Sequence, residues 1–174
     1  SGLTVEEATL RLEKSLSKIY SGLTSNISAL SKTYYSLSLT KTRSIVVNII
    51  GEVVSPGFYT ISSMSSILNA LYFAGGPNEI GTYRLIEIIR DGKIFTKVDL
   101  YDYFINGISP NIFLRDQDVI LVPAYKKRAS STGEFKRNHV YEILENETVS
   151  DLIKYSGEFN SLAYKNEIYL ERID

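Results

Sequence analysis

An internal repeat does most to limit what this chain can fold into. "GEVVSPGFYTIS" opens at Gly51 and "GEFKRNHVYEIL" opens at Gly133. The two glycines, at 51 and 133, stand 82 positions apart. Sliding the chain by that distance without a gap brings Glu52 onto Glu134, Tyr59 onto Tyr141 and Ile61 onto Ile143. Farther along, Gly75 meets Gly157, Asn78 meets Asn160, Ile86 meets Ile168 and Arg90 meets Arg172. Thr148 falls on Ser66, a helix-capping type, and Val149, Leu152 and Ile153 fall on the apolar Ile67, Ala70 and Leu71. Identities, cap, apolar stripe and helix-ending glycine in one register over about forty residues mark one module written twice.

The first copy reads as strands in hairpins around one short helix. "SIVVNIIGEV" is β-branched and nearly continuous, a buried strand. "SPGF" at 55–58 predicts a type II turn, with Pro56 second and Gly57 third. "FYTIS" then returns as the second strand. Ser66 starts a helix that ends at "GGP" (75–77). "RLIEIIR" and "KIFTKV" flank Asp91-Gly92, a two-residue hairpin signal. "DLYDYFING" makes a helical turn or two, "RDQD" a turn, and "VILVP" a closing strand. This is an α+β module with a mixed or mostly antiparallel sheet, and it repeats in tandem.

In the second copy Asn138-His139 replaces Pro56-Gly57. Both residue types tolerate left-handed backbone, so the same turn is expected. That copy has counterparts up to "EIIR" and none for the later strands. A piece of that size is marginal alone. It should lean on the first copy or pair its open edge with another chain. The polar "AYKKRASST" at 124–132 reads as a linker.

Ahead of the repeats, Val5, Ala8, Leu12, Leu16 and Ile19 form a helical stripe, with Thr4 and Glu7 as a capping box and Gly22 as a stop. The serine-rich 24–32 reads as a loop. Tyr35, Leu37 and Leu39 alternate with polar residues, the pattern of a half-buried strand. The start at "SGLTVEEA" reads as part of a longer chain.

Taken together, these strings resemble a known family. "VNIIGEVVSPGFYTI", "SSILNALYFAGGPN" and "IEIIRDGK", closed by "RDQDVILVP", are similar to the soluble-ligand-binding β-grasp (SLBB) domain of outer-membrane polysaccharide and capsule export proteins. The resemblance divides the chain into four parts. Residues 1–43 would be the terminal helix and strand of a preceding polysaccharide-export domain. Residues 44–123 would be a first β-grasp module, 124–132 a linker, and 133–174 an incomplete second module. Gln117 departs from the family pattern, which commonly has glycine there. By resemblance, the modules would assemble outside the cytoplasm into a conduit for polysaccharide. The full-length protein would be a homo-oligomer working with other export-machinery proteins in the periplasm, associated with the outer membrane. Any membrane association would come through regions outside this chain. The alternative is a soluble module that binds a saccharide or a cobalamin-like molecule.

Composition narrows the chemistry. Nineteen basic and twenty acidic residues give a net charge of −1, which supplies no field for a phosphate backbone, so no nucleic-acid partner is expected. The chain has no cysteine, which excludes disulfides, thiolate catalysis and zinc–cysteine sites. His139 is the single histidine and is expected to be a turn residue. Asp116 and Asp118 are spaced for a cation but are expected to bond their own backbone. Asp99 and Asp102 suit a helix start. "AGGPNEIG" at 74–81 lacks the features of a phosphate loop. No catalytic, cofactor-binding or metal residue is therefore expected, and no cofactor; the ligand-binding residues stay unknown. Thirteen tyrosines fit a β-rich chain. Tyr34, Tyr35, Phe58, Tyr59, Tyr72, Tyr83, Tyr101 and Tyr103 are candidates for stacking on sugars, for subunit contacts or for the core.

Overall fold

A computed structural model describes residues 4–20, 23–24, 33–34, 37, 42–164 and 167–172. The chain forms two compact units, 1–42 and 43–174. In the first, α1 spans Val5–Leu16 and opens on the expected capping box. The Glu7 N–H donates to Thr4 Oγ1 at 3.2 Å and the Thr4 N–H donates to Glu7 Oε2 at 2.9 Å. The helix stops before Ile19, which is exposed, as is Leu12. β1 (Leu23–Thr24) pairs in parallel with β2 (Thr33–Tyr34). Gly22, Tyr35 and Leu39 lie outside the described residues, and Leu37 is exposed and not in a strand.

The first repeat is a five-stranded mixed sheet with a helix across it. β3 (Ser44–Gly51) and β4 (Gly57–Ser62) pair antiparallel, from Ser44 opposite Ser62 to Ile49 opposite Gly57. Helix α2 (Ile67–Phe73) follows. β5 (Ile86–Arg90) and β6 (Lys93–Val98) form a second hairpin, α3 covers Tyr101–Asn106, and β7 (Val119–Val122) closes the module. The order is β4-β3-β7-β5-β6. The last strand thus enters the centre of the sheet, parallel to β3 and antiparallel to β5. This is the β-grasp arrangement of an α+β fold. Strand β3 alternates Ile45, Val47 and Ile49 inward; these pack with Ile61, Ile86, Ile88, Ile120, Val122 and the helix residues Ile67, Ala70 and Leu71. Fully burying one such side chain is worth about 1.5–3 kcal/mol, so this layer carries the module.

The two hairpins differ in how they close. Asp91 (φ 51°) and Gly92 (φ 71°) make the tight turn that the sequence signals. The "SPGF" type II turn does not form. Gly57 has φ 155° rather than the roughly +80° that turn needs at its third position. The Ser55 carbonyl accepts the Tyr59 hydroxyl at 2.5 Å. Residues after β3 instead fold over the end of α2, where the Val54 N–H donates to the Gly76 carbonyl and the Ser55 N–H to the Ala74 carbonyl. Tertiary bonds therefore set this loop, not the local proline-glycine preference.

The second repeat copies this loop bond for bond. The Lys136 N–H donates to the Glu158 carbonyl and the Arg137 N–H to the Ser156 carbonyl. The Tyr141 hydroxyl donates to the Arg137 carbonyl at 3.2 Å. Asn78 Nδ2 donates to Glu52 Oε2 at 2.9 Å, and Asn160 Nδ2 to Glu134 Oε2 at 2.5 Å. At the start of α2, Asn69 Oδ1 accepts both the Ser66 N–H and hydroxyl; Asp151 Oδ2 accepts the same pair from Thr148 at α4 (Val149–Tyr155). β8 (Arg128–Ser130) pairs antiparallel with β9 (Val140–Glu142) in the register of β3 and β4, with Ala129 opposite Tyr141 as Val47 is opposite Tyr59. Strand β8 lies inside the polar stretch read as a linker, because its counterpart role rests on pairing and not on apolar content. Neither Asn138 nor His139 takes positive φ, since the loop bonds above fix the path there too.

Among the described residues the sheet of this copy has two strands. Residues 167–172, which fall on β5, form no strand, and Ile168, Tyr169 and Leu170 are exposed. Strand β5 is held between β6 and β7, whose counterparts would come after residue 174. Glycine positions register the same difference. Gly51 has φ 88°, and a Cβ there would lie 2.2 Å from the Val122 carbonyl oxygen of β7. Gly133 has φ 101° and open space around it. We predict that Gly51→Ala destabilises the protein by more than about 2 kcal/mol, from left-handed strain plus the clash, and that Gly133→Ala costs about 1 kcal/mol from strain alone. Urea unfolding measures both, and equal losses contradict the account. Gln117, where the family favours glycine, has φ 67°. Gln117→Gly is expected to stabilise by about 0.5–1 kcal/mol in the same assay, by removing left-handed strain.

Candidate functional site

Arg84 stands two residues before strand β5, and its side chain is only 5% exposed. A buried guanidinium must be paired. Nε and Nη2 donate to Asp99 Oδ2 at 3.0 and 2.8 Å, within the first module. Nη1 crosses to the second module, donating to Glu147 Oε2 at 2.6 Å and to the Glu142 carbonyl at 3.1 Å. The guanidinium carbon lies 4.3 Å from the Tyr101 ring centre and 5.4 Å from that of Tyr155.

Two glutamates of the second module answer it. The Thr82 hydroxyl donates to Glu142 Oε2, and the Tyr83 N–H donates to Glu142 Oε1 at 3.0 Å. The Glu142 N–H donates in turn to the Tyr101 hydroxyl at 2.7 Å. Glu147 Oε1 accepts the Tyr155 hydroxyl, while Oε2 accepts the Leu144 N–H at 2.8 Å. No buried side-chain polar atom among the described residues lacks a partner.

Burial works against the charge on both Arg84 and Glu147. On Arg84, hydrogen bonds to Glu147 and Asp99 outweigh it and hold the pKa above the usual arginine value. On Glu147, hydrogen bonds from Arg84, Tyr155 and the Leu144 N–H outweigh it and hold the carboxyl below its ordinary value. Burial, then the hydrogen bond to Glu147, pushes Tyr155 up to about 12. Burial also raises Tyr101.

Beside this joint lies a cleft of about 380 Å³. The first module lines it with Tyr83, Tyr101, Phe104 and Ile105, and the second with Arg137, His139, Val140, Tyr141 and Tyr155. The rings stand edge to face: Tyr101 and Tyr155 are 5.2 Å apart at 89°, Tyr83 and Phe104 5.6 Å apart at 75°.

The residues singled out from sequence distribute as follows. Asp118 is fully buried and forms two hydrogen bonds with Arg90, at 2.8 and 2.7 Å, while also accepting the Arg115 N–H. Asp116 accepts the Val46 N–H at 2.8 Å. Both carboxylates therefore anchor β7 in the sheet. Asp99 holds Arg84 and caps the Tyr101 N–H at 2.9 Å; Asp102 accepts the Asn106 side-chain amide. Segment 74–81 carries Asn78 and the helix-ending glycines. His139 lines the cleft, its ring edge-on to Tyr141. Tyr83 and Tyr101 reach the cleft, Tyr59 packs on the core, and Phe58, Tyr72 and Tyr103 are exposed elsewhere. Nothing is described for the side chain of Tyr34, or for Tyr35 at all.

Arg84, Glu142, Glu147, Arg137 and Tyr155 escaped sequence reasoning. The signal was in the repeat's departures. Glu142 falls on Thr60, Glu147 on Ser65, Tyr155 on Phe73 and Arg137 on Ser55. Glu142 and Glu147, carboxylates in the second copy only, lie on the face by which it meets the first.

Comparison with known proteins fits this architecture. The family model of the SLBB domain matches residues 46–122, and a second SLBB domain model matches 132–174. The chain belongs to the SLBB domain family. Two curated proteins of Escherichia coli, each named polysialic acid transport protein KpsD, are 31% identical to it over 109 residues. The match takes in 62% of this chain and 20% of each relative, so the chain spans about a fifth of their length.

The SLBB joint has a definite pH signature. Glu147's contribution is complete above the unfolded glutamate pKa of about 4.3 and is lost as pH falls through its lower folded value. Tyr155's contribution is complete below about pH 10 and is lost between about 10 and 12. Glu147→Gln is expected to cost roughly 2 kcal/mol at pH 7, less than the about 3–5 of a broken buried pair, because Asp99 still holds Arg84. The variant should also lose part of the acid limb, and Tyr155→Phe part of the alkaline limb. Urea midpoints followed by circular dichroism across pH 3–12 report this. Unchanged limbs in both variants would exclude the assignment.

Proposed function

We propose that this chain is a non-enzymatic part of a bacterial polysaccharide export apparatus. Its modules act by assembly, presenting edges and faces that build and line a path for polysaccharide. The observation that carries this reading is the pair of SLBB modules fastened by a buried, fully satisfied charge cluster. Such a joint fixes the relative orientation of consecutive modules, which suits a structural wall better than a pair of loosely linked binders. The similarity to polysialic acid transport proteins supports the same reading.

Further parts of the proposal follow from it. The protein works in the periplasm at the outer membrane, as a homo-oligomer with other export components. Residues 1–43 end a preceding export domain, and 133–174 begin a second SLBB module. No helix among the described residues is long and apolar enough to cross a membrane.

Deleting the gene in its host and quantifying surface polysaccharide tests the proposal. The expected result is loss of surface material with polymer retained inside the cell. The natural protein should restore export, and a variant with Arg84→Glu, which sets like charges against Glu147 and Asp99, should fail to do so while still being secreted. Normal surface polysaccharide in the deletion strain would refute the reading.

A further inference from the structure

We infer that the aromatic cleft at the module joint binds a short stretch of acidic polysaccharide. This rests on the export reading for its source of ligand but not for its chemistry. The volume, about 380 Å³, lies in the range of about 300–1,000 Å³ found for small-molecule sites. Phe104 and Tyr141 present ring surface from opposite modules, and Phe104 is 52% exposed. Aromatic faces carry negative charge density and attract the C–H face of a pyranose ring.

Charge decides which sugar. The acids nearest the joint are consumed: Glu142 serves Thr82 and Tyr83, and Glu147 serves Arg84 and Tyr155. Arg84 is consumed likewise. Arg137 is different. Its backbone is engaged, but its guanidinium makes no ion pair or hydrogen bond among the described residues. It lies against Gly157, with Nε 3.2 Å from where a Cβ would sit. A glycine therefore leaves room for the guanidinium to lie along the end of α4, on the wall of the cleft. An unpaired arginine beside aromatic surface suits a carboxylate-bearing sugar, because guanidinium and carboxylate form charge-assisted, paired hydrogen bonds. His139 adds a ring nitrogen that can serve sugar hydroxyls. In the first module, Ser55 and Gly57 occupy the positions of Arg137 and His139, so the site belongs to the joint and not to the module alone.

Titration of the full 174-residue chain with a sialic acid tetramer and, separately, maltotetraose tests this, using two-dimensional NMR. The expected result is saturable binding of the sialic acid tetramer, with shifts at Phe104, Arg137 and Tyr141, weakened by added salt. Maltotetraose should bind at least tenfold more weakly. Arg137→Ala should weaken the acidic tetramer at least tenfold and change maltotetraose less than twofold; Phe104→Ala should weaken both. Circular dichroism checks that each exposed-site variant is folded. Absence of saturable binding at millimolar tetramer, equal affinity for the two sugars, or wild-type affinity in the folded Arg137→Ala variant would each overturn the inference. Lost export in the deletion strain alongside a silent cleft removes only this site. Normal export alongside specific binding removes the export reading and leaves the site standing.

Discussion

A single buried cation holds the larger unit of this protein together. Arg84 leaves the edge of one module and is neutralised partly by that module, through Asp99, and partly by the next, through Glu147. Neither carboxylate alone completes the guanidinium's hydrogen bonds, and the Glu142 carbonyl takes a further one. Removing either carboxylate while the modules stay docked would leave a buried charge short of a partner, which is destabilising. Orientation follows from the same chemistry. Hydrogen bonds are directional, so a cluster that includes Thr82, Glu142, Tyr101 and Tyr155 tolerates few alternative dockings.

Among the described residues, burial in the second module is polar and centres on this joint. Every buried hydrophobic residue of the described chain lies at or before Val122, within the first module. What the second module buries is polar: Ser131, Glu142 and Ser156. Its helix α4 has no fully buried residue, whereas α2, its counterpart, buries Ile67, Ala70 and Leu71. The cause is topological. In the first module β7 arrives last and fills the middle of the sheet, giving the helix its floor. Loops and caps need only near neighbours and are reproduced in full in the second copy; the central layer needs partners for residues 167–172 that do not lie within 133–174.

The cleft is a by-product of that docking. Two modules meeting through a polar pin leave aromatic edges on either side unfilled, and both contribute to the wall. Its shape therefore depends on the joint, which couples assembly of the modules to whatever the cleft holds.

The sequence alone determined the capped helices, the Asp91-Gly92 hairpin and the existence of a second copy, because these rest on short-range bonds and side-chain periodicity. It also carried the family resemblance, which the two domain matches bear out. It misread the "SPGF" loop, since the backbone there bonds to residues about twenty positions away and ignores the local turn preference. It read β8 as linker, because a strand defined by its partner needs no apolar signature. Only the tertiary structure brought Arg84 to Glu147 and Tyr101 to Tyr155. Those contacts join residues on separate modules whose separation in sequence bears no relation to their closeness in space, and no period or motif encodes a meeting of two surfaces.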